Sequence, residues 1–284
     1  MKCIPSTVNY QYASLLETVL ELGFDSMDRT GVGTKSFFGD TAHYDLAEVE
    51  LGRYKVPIIT LKKVHLPSVI HELLWMISGS TNVKYLQDNK VRIWNEWADE
   101  NGELGPVYGS QWRNLGNTGT DQIKKLEQSL RNNYRGRRHI LSAWNPAEVD
   151  NMALPPCHMF AQFYVDGKNR LHCQMYQRSA DLFLGVPFNV LQYSLLTIML
   201  ARVLDYEVGS FRHVLGDMHI YHNHIDLAYE MLDRDFRSLP SGQLLNMPEI
   251  SIPKKSSITE YVYEDFVISD DYIHHPHMAA KVAV

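Results

Sequence analysis

Residues 152–178, "MALPPCHMFAQFYVDGKNRLHCQMYQR", carry the pattern on which the fold reading turns. After Cys157 the side chains alternate as those of a half-buried strand do. Met159, Ala161, Phe163 and Val165 fall on one face, and His158, Phe160, Gln162 and Tyr164 on the other. "DGKN" at 166–169 is a turn signal, and "RLHCQMYQR" reads as a returning strand. A turn centred between Gly167 and Lys168 sets Arg178 opposite Cys157, to within a two-residue slip. Directly opposed side chains in a hairpin touch. A thiol beside a guanidinium is expected to titrate below its ordinary range, because the positive charge favours the thiolate. The alternative is a buried cysteine that only packs. That reading suits Cys173, mid-strand between Leu171 and Met175, and Cys3 as well.

Working outward, "RRHILSAWNP" (137–146) places the pair Arg137 and Arg138 ahead of a further strand. On the other side, "FNVLQYSLLTIMLARVL" (188–204) is interrupted by Asn189, Gln192, Ser194, Thr197 and Arg202. It suits a buried helix better than a membrane span. Residues 9–23 predict an opening helix, and 35–46 and 55–63 are strand-like. "SVIHELLWMISG" predicts a helix from Ser68, as N-cap, to Gly79. Gly/Asn-rich loops at 99–112 and 114–121 and a polar, strand-containing tail complete the chain. Helices and strands mix without a regular βαβ rhythm, so the expectation is one α+β domain over residues 1–284.

With 45% hydrophobic and 21% charged residues, the composition is that of an ordinary globular protein. The net charge of −6, with no Lys/Arg-rich block, points away from nucleic-acid grooves and membrane surfaces. The N-terminus has no apolar core followed by a small-residue cleavage site, so no signal peptide is expected. Three cysteines without metal spacing predict a reduced, cytoplasmic protein.

Several side chains are candidates for chemistry. Arg137 and Arg138 suit either a phosphate grip or a solvated surface. Glu72, among Val69, Leu73, Trp75 and Met76, is either a helix-surface carboxylate or a buried acid with a raised pKa that shuttles protons. His219, His222 and His224 suggest a metal, and "HELLW" begins like HExxH. Trp75 stands at the second histidine's place, however, and no acid–histidine set has ligand spacing, so no metal is expected. A papain-like Cys/His pair fails because His158 faces away from Cys157 in a regular strand.

Seven motifs in order resemble the thymidylate synthase family. They are "DRTGVGT" (28–34), "HELLW" (71–75), "IWNEWADENGELGPVYGSQW" (93–112), "RRHILSAWNPAEVDNMALPPCH" (137–158), "YQRSADLFLGVPFN" (176–189), "GDMHIYHNH" (216–224) and the terminal "VAV". The resemblance implies an α+β fold with a large mixed sheet, flanked by helices, whose face packs against its twin in a homodimer. It implies methylation of dUMP to dTMP, with 5,10-methylenetetrahydrofolate donating both the carbon and the hydride. Cys157 would attack C6 of uracil. Arg178 would activate the thiolate and, with Arg29 and Ser179, hold the phosphate. Arg137 and Arg138 would complete that grip from the other subunit. Asn189 would read the base, and His219 and Tyr221 the sugar hydroxyl. Tyr108 would assist proton removal at C5, with Glu72 organising the proton network. Asp181 would bind the pterin, with Ile93, Trp94, Leu154, Leu184 and Gly185 around it and Lys62 and His65 toward the folate tail. Val284 would belong to a closing lid. No metal, membrane or nucleic acid enters this scheme.

Departures from the family pattern qualify it. Leu191 and Gln192 replace a usual Ala-Ser pair, Leu61 and Lys63 are substitutions, and Pro67 stands where an arginine often lies. Gln192 lies three residues beyond Asn189, on the same side of a helix. A sister activity in the family adds water, instead of hydride, to the exocyclic methylene, so hydroxymethylation of dUMP is the alternative. A nucleotide-binding module without catalysis would be marked by loss of the thiol or the arginines, and both are present.

Overall fold

A computed structural model of the chain describes residues 5–283. The elements run α1 (Pro5–Leu22), β1 (Phe24–Ser26), β2 (Thr34–Asp45), β3 (Ala47–Glu50), β4 (Arg53–Lys55), α2 (Leu66–Ser78), α3 (Lys84–Asp88), α4 (Tyr108–Asn114) and α5 (Gln122–Asn132). There follow β5 (Ile140–Ser142), β6 (His158–Val165), β7 (Arg170–Asp181), α6 (Gly185–Leu204), β8 (Glu207–Tyr221), α7 (Ile225–Leu232), β9 (Glu249–Ser251) and β10 (Val267–Ile268). A six-stranded sheet in the order β1-β2-β8-β7-β6-β5 organises the chain, with a smaller sheet β10-β9-β4-β3 beside it. Only β7 and β8 pair in parallel within the large sheet, and α6 is the crossover between them, so the fold is α+β with a mixed sheet. The helices α1 and α6 pack on the sheet, and α2 packs on α6.

The β6–β7 hairpin forms at the turn predicted, but its register contains a device that alternation does not show. Near the turn Val165 pairs with Leu171 and Phe163 with Cys173, half a residue off the predicted centre. A β-bulge between His158 and Phe160 then shifts the pairing, so His158 faces Gln177. The bulge restores the expected juxtaposition: the Arg178 N–H donates to the Cys157 carbonyl at 2.9 Å. It also overturns one facing. Phe160 and Tyr164 are exposed as expected, whereas His158 is buried with Ala161 and Phe163.

Two other expectations need correction. The run 55–63 is strand only at Lys55. Its apolar side chains Val56, Ile58, Ile59 and Leu61 are all buried, and its backbone is served by side chains and by an isolated backbone bond from His275 N–H to the Thr60 carbonyl, not by a strand ladder. Thr60 N–H donates to Asn9 Oδ1 at 2.9 Å, and Tyr272 Oη donates to the Ile59 carbonyl at 2.8 Å. The helix α2 starts at Leu66, two residues before Ser68, because His65 is its cap: His65 Nδ1 accepts from Ser68 N–H. It does stop at Gly79, whose φ of 84° is left-handed and needs no Cβ.

Apolar on nearly all sides, α6 is almost wholly buried between the sheet, α2 and α5. By length and composition it is the one described helix able to cross a membrane, yet the protein itself covers most of it. Asp181 Oδ1 accepts from the N–H groups of Phe183 and Leu184 at 2.9 and 3.2 Å, which sets the angle at which α6 leaves β7.

Candidate active site

The end of β7, the start of α6, α2, α4 and the chain end enclose a cavity of about 710 Å³. Cys157 stands on its wall at the residue before β6, held through both of its backbone groups. Its N–H donates to Tyr108 Oη at 2.8 Å, and its carbonyl accepts from Arg178. The Arg178 guanidinium donates through Nε to the Pro156 carbonyl and through Nη2 to that of Pro155, both at 2.9 Å. Proline has no N–H and a fixed φ, so this pair offers its carbonyls in a stiff arrangement. The guanidinium also lies 5.3 Å from the Trp144 ring centre. This clamp fixes both the cysteine's backbone and the charge beside it.

The thiol titrates differently from the expectation. Burial pushes the Cys157 pKa up, and this outweighs the opposing pull of Arg178, Ser179 and Arg29; Asp181 adds to the rise. Desolvation, which depends on packing and not on hairpin register, here outweighs the cation. Tyr108 is also pushed well up, by burial first and then by Cys157. Because its oxygen accepts from the Cys157 backbone, its own O–H remains a donor. His158 stacks on Tyr108 at 4.2 Å and meets Tyr193 Oη through Nδ1 at 2.8 Å. Burial lowers its pKa to about 3, so it stays neutral and is not a base for the thiol.

A buried polar chain reaches the same cavity. Glu72, on α2, has its pKa raised to about 7 by burial, against the lowering effect of bonds from Trp94 and Gln192. Trp94 Nε1 donates to Glu72 Oε1 at 2.7 Å. The indole is held edge-on against Trp97 and Tyr108 at 5.8 and 5.9 Å. Asn189, in the first turns of α6, faces the same cavity. The buried-acid reading of Glu72 thus replaces the helix-surface one.

Arg29 reaches the cavity from a loop stiffened by Asp28, whose carboxylate accepts from Thr30 N–H, Thr30 Oγ1 and Gly33 N–H. Gly33 has a φ of 80°, and a Cβ there would lie 2.7 Å from His222. Ser179, Asp181, His219 and Tyr221 line the same floor, and Ile93, Leu154, Leu184 and Gly185 the more apolar side. Burial would lower the His219 pKa, but Asp217 and Asp181 win and raise it. Tyr221 is raised to about 12 by burial, then by Asp181 and Asp28.

Four residues proposed from sequence fall elsewhere, and a fifth, Val284, lies outside the described residues. Lys62 is buried with its ammonium donating to the Phe183 carbonyl and 3.9 Å from that ring's centre. Burial lowers its pKa to about 8. His65 is spent as a helix cap. Arg137 and Arg138 are exposed beside β5 at the sheet edge, outside this cavity. The three histidines of 216–224 separate: His219 faces the cavity, His222 meets Asp25 at 3.0 Å, and His224 binds the Lys281 carbonyl at 2.8 Å. Among the described residues no group of three or more ligand-type side chains gathers for a metal.

Further residues line the cavity that no sequence motif marked. Trp97 lies three after Trp94, close enough to share a turn, and Phe188 sits beside Asn189. Ala280, Val282 and Ala283 arrive from the chain end, which His224 and Asn223 hold by the Lys281 carbonyl. A second, more open hollow between 233–242 and 274–276 has no cysteine or buried acid on its wall.

This arrangement suits a covalent reaction on a flat, polar ring: a thiol on one wall, an amide and a buried acid on another, and cations and hydroxyls for an anionic tail. The model of the thymidylate synthase family matches residues 10–284, nearly the whole chain. The protein belongs to the thymidylate synthase family.

Proposed function

We propose that the protein converts dUMP to dTMP, with Cys157 attacking C6 of the uracil ring. The observation that carries this is the Cys157–Arg178–Pro155–Pro156 clamp lining one cavity together with Asn189 and Glu72. The thiol is protonated at rest because of burial. As attack begins the thiol gives its proton to water in the cavity, and the Arg178 charge beside it favours the thiolate. Attack forms the S–C6 bond and moves the ring's electron pair toward C5 and O4, where the Asn189 amide and the Glu72 network meet the developing charge. An amide donates to O4 and accepts from N3–H at once, which suits uracil. Tyr108, whose Oη accepts from the Cys157 N–H, relays the C5 proton in this reading.

The chemistry of the remaining lining fits a reduced folate. Trp94, Trp97, Leu184 and Phe188 present flat and apolar surface for a pterin, and Asp181 has only Oδ1 taken by backbone bonds. When bound, 5,10-methylenetetrahydrofolate supplies the one-carbon unit and the hydride. Trp94, pinned by Glu72, would exclude water from the carbon in transfer.

The second reading, hydroxymethylation, draws on Gln192, a polar group where the family usually has a small one. Incubation with dUMP and methylenetetrahydrofolate, followed by mass spectrometry, tests both. We expect dTMP and dihydrofolate. Hydroxymethyl-dUMP with tetrahydrofolate would overturn the methylation reading and keep the cysteine attack.

A homodimer belongs to the same proposal. Ile140, Phe160 and Tyr164 leave aromatic and apolar surface exposed on the open sheet face, beside the free ends of Arg137 and Arg138. A second copy seated there would bring those guanidinium groups to its partner's phosphate site. Sedimentation at twice the chain mass is the expected result, and a monomer would refute it. The free thiols Cys157 and Cys173 suit a reducing, cytoplasmic setting.

A further inference from the structure

Gln192 lies outside the cavity, 2% exposed, yet it joins two groups that face it. Its Nε2 donates to Glu72 Oε2 at 2.5 Å, and its Oε1 accepts from Asn189 Nδ2 at 3.2 Å. With Trp94 Nε1 on Glu72 Oε1, this makes one continuous chain, Trp94–Glu72–Gln192–Asn189, between two helices 120 residues apart in sequence. Its direction follows from chemistry. An indole N–H only donates, and a carboxylate only accepts. A carboxylate at Glu72 therefore draws the NH2 end of Gln192 and turns its carbonyl toward Asn189. That carbonyl in turn draws the NH2 end of Asn189.

The orientation of the Asn189 amide decides which base it matches. One orientation offers a donor to O4 and an acceptor to N3–H, the edge of uracil. The flipped amide offers an acceptor and a donor in exchanged places, the edge of cytosine with its N4 amino group and bare N3. A lone asparagine can rotate by half a turn and meet either. We propose that Gln192 is a specificity-determining, positioning residue that locks the Asn189 amide in one orientation by anchoring it to Glu72, and so makes the site select uracil over cytosine. This inference rests on the proposed use of dUMP and adds to it the means of base selection.

The surroundings support a fixed lock. Val190, Leu191 and Tyr193 beside Gln192 on α6 are buried apolar or aromatic side chains, so no bulk water competes for its amide. At pH 8 Glu72, with its pKa near 7, is mostly ionised. Tyr108 and Cys157 in the cavity are pushed up and His158 down by burial, so these neighbours are largely uncharged at that pH; Arg178 and Arg29 carry positive charge in the same cavity.

The test is calorimetric binding of dUMP and dCMP at pH 8 to the wild-type protein and to Gln192→Met, which keeps volume and removes the amide. The wild type is expected to prefer dUMP. In Gln192→Met the ratio of the two dissociation constants should collapse by about tenfold or more, through both weaker dUMP and stronger dCMP binding, as for loss of one orienting hydrogen bond. Gln192→Glu offers a second route if the methionine variant does not fold. Its added negative charge repels Glu72 and breaks the same chain, so the same collapse is expected. A folded variant with an unchanged dUMP/dCMP ratio would overturn the lock while leaving the proposed reaction intact. Failure of the wild-type protein to bind dUMP would overturn the proposed reaction, and the lock with it.

Discussion

The two ends of the β6–β7 hairpin are built on different principles. At the turn, Asp166 holds everything by local bonds: Oδ1 accepts from Lys168 and Arg170 N–H at 2.8 and 3.0 Å, and Oδ2 pairs with the Arg170 guanidinium at 2.7 Å. Asn169 supplies the left-handed backbone, φ 60°. All of this spans five residues, and water reaches it. At the other end Cys157, partly buried on the cavity wall, is held by residues from 21 to 49 positions away. The same two strands thus run from a self-sufficient turn to a site that exists only when α4, the Pro155–Pro156 segment and β7 meet. A local end tolerates change as a small loss of stability. A tertiary end converts change into loss of chemistry.

Cys157→Ser breaks the contrast most severely. Turnover should fall by roughly 10³-fold or more, since a hydroxyl is a far weaker nucleophile, while dUMP binding measured by calorimetry persists. Retained turnover would remove Cys157 from the nucleophile's role. Arg178→Lys comes next. One ammonium cannot hold two proline carbonyls in the fork that a guanidinium spans. A loss of about 10²-fold in kcat/KM, with the melting temperature little changed, is the expected outcome of steady-state and thermal measurements.

Glu72 sharpens the comparison through pH. Its folded pKa of about 7 lies above the 4.5 of an ordinary glutamate, so the native protein binds the extra proton. Its contribution to stability is present below that lower value and lost as pH rises through about 7. Denaturant titrations at pH 5 and pH 8 should show a decline in the wild type that is smaller by ~2 kcal/mol in Glu72→Gln. Equal declines in the two proteins would mean that Glu72 titrates normally. The smallest effect belongs to the turn. Asp166→Ala should cost about 1–2 kcal/mol in chemical denaturation and leave kcat within twofold, because its bonds end within the turn. A drop in kcat there would show that the two ends are coupled.

The legible features were those with a local cause. The alternation of 160–165, the "DGKN" turn, the stop of α2 at Gly79 and the buried nature of α6 all follow from neighbours in sequence. The facing of His158 did not, because a β-bulge leaves no mark in composition. Nor did the buried but unpaired 56–61 segment: apolar residues in a row read the same whether a strand or several side chains satisfy their backbone. For the site, residue types were legible as motifs. Their protonation was not, since burial reversed the expected shift at Cys157 and emerged only from packing.

By itself the sequence determined that an arginine would face a cysteine across a hairpin, that an acid would sit on an apolar helix, and that the chain would fold as mixed α+β. These rest on periodicity, turn chemistry and motif, which act over a few residues. Only the tertiary structure decided that Lys62 points inward, that the three histidines part company, and that Gln192 bridges Glu72 to Asn189. Those outcomes depend on which groups lose water together, and desolvation is a property of the assembled interior, not of any segment.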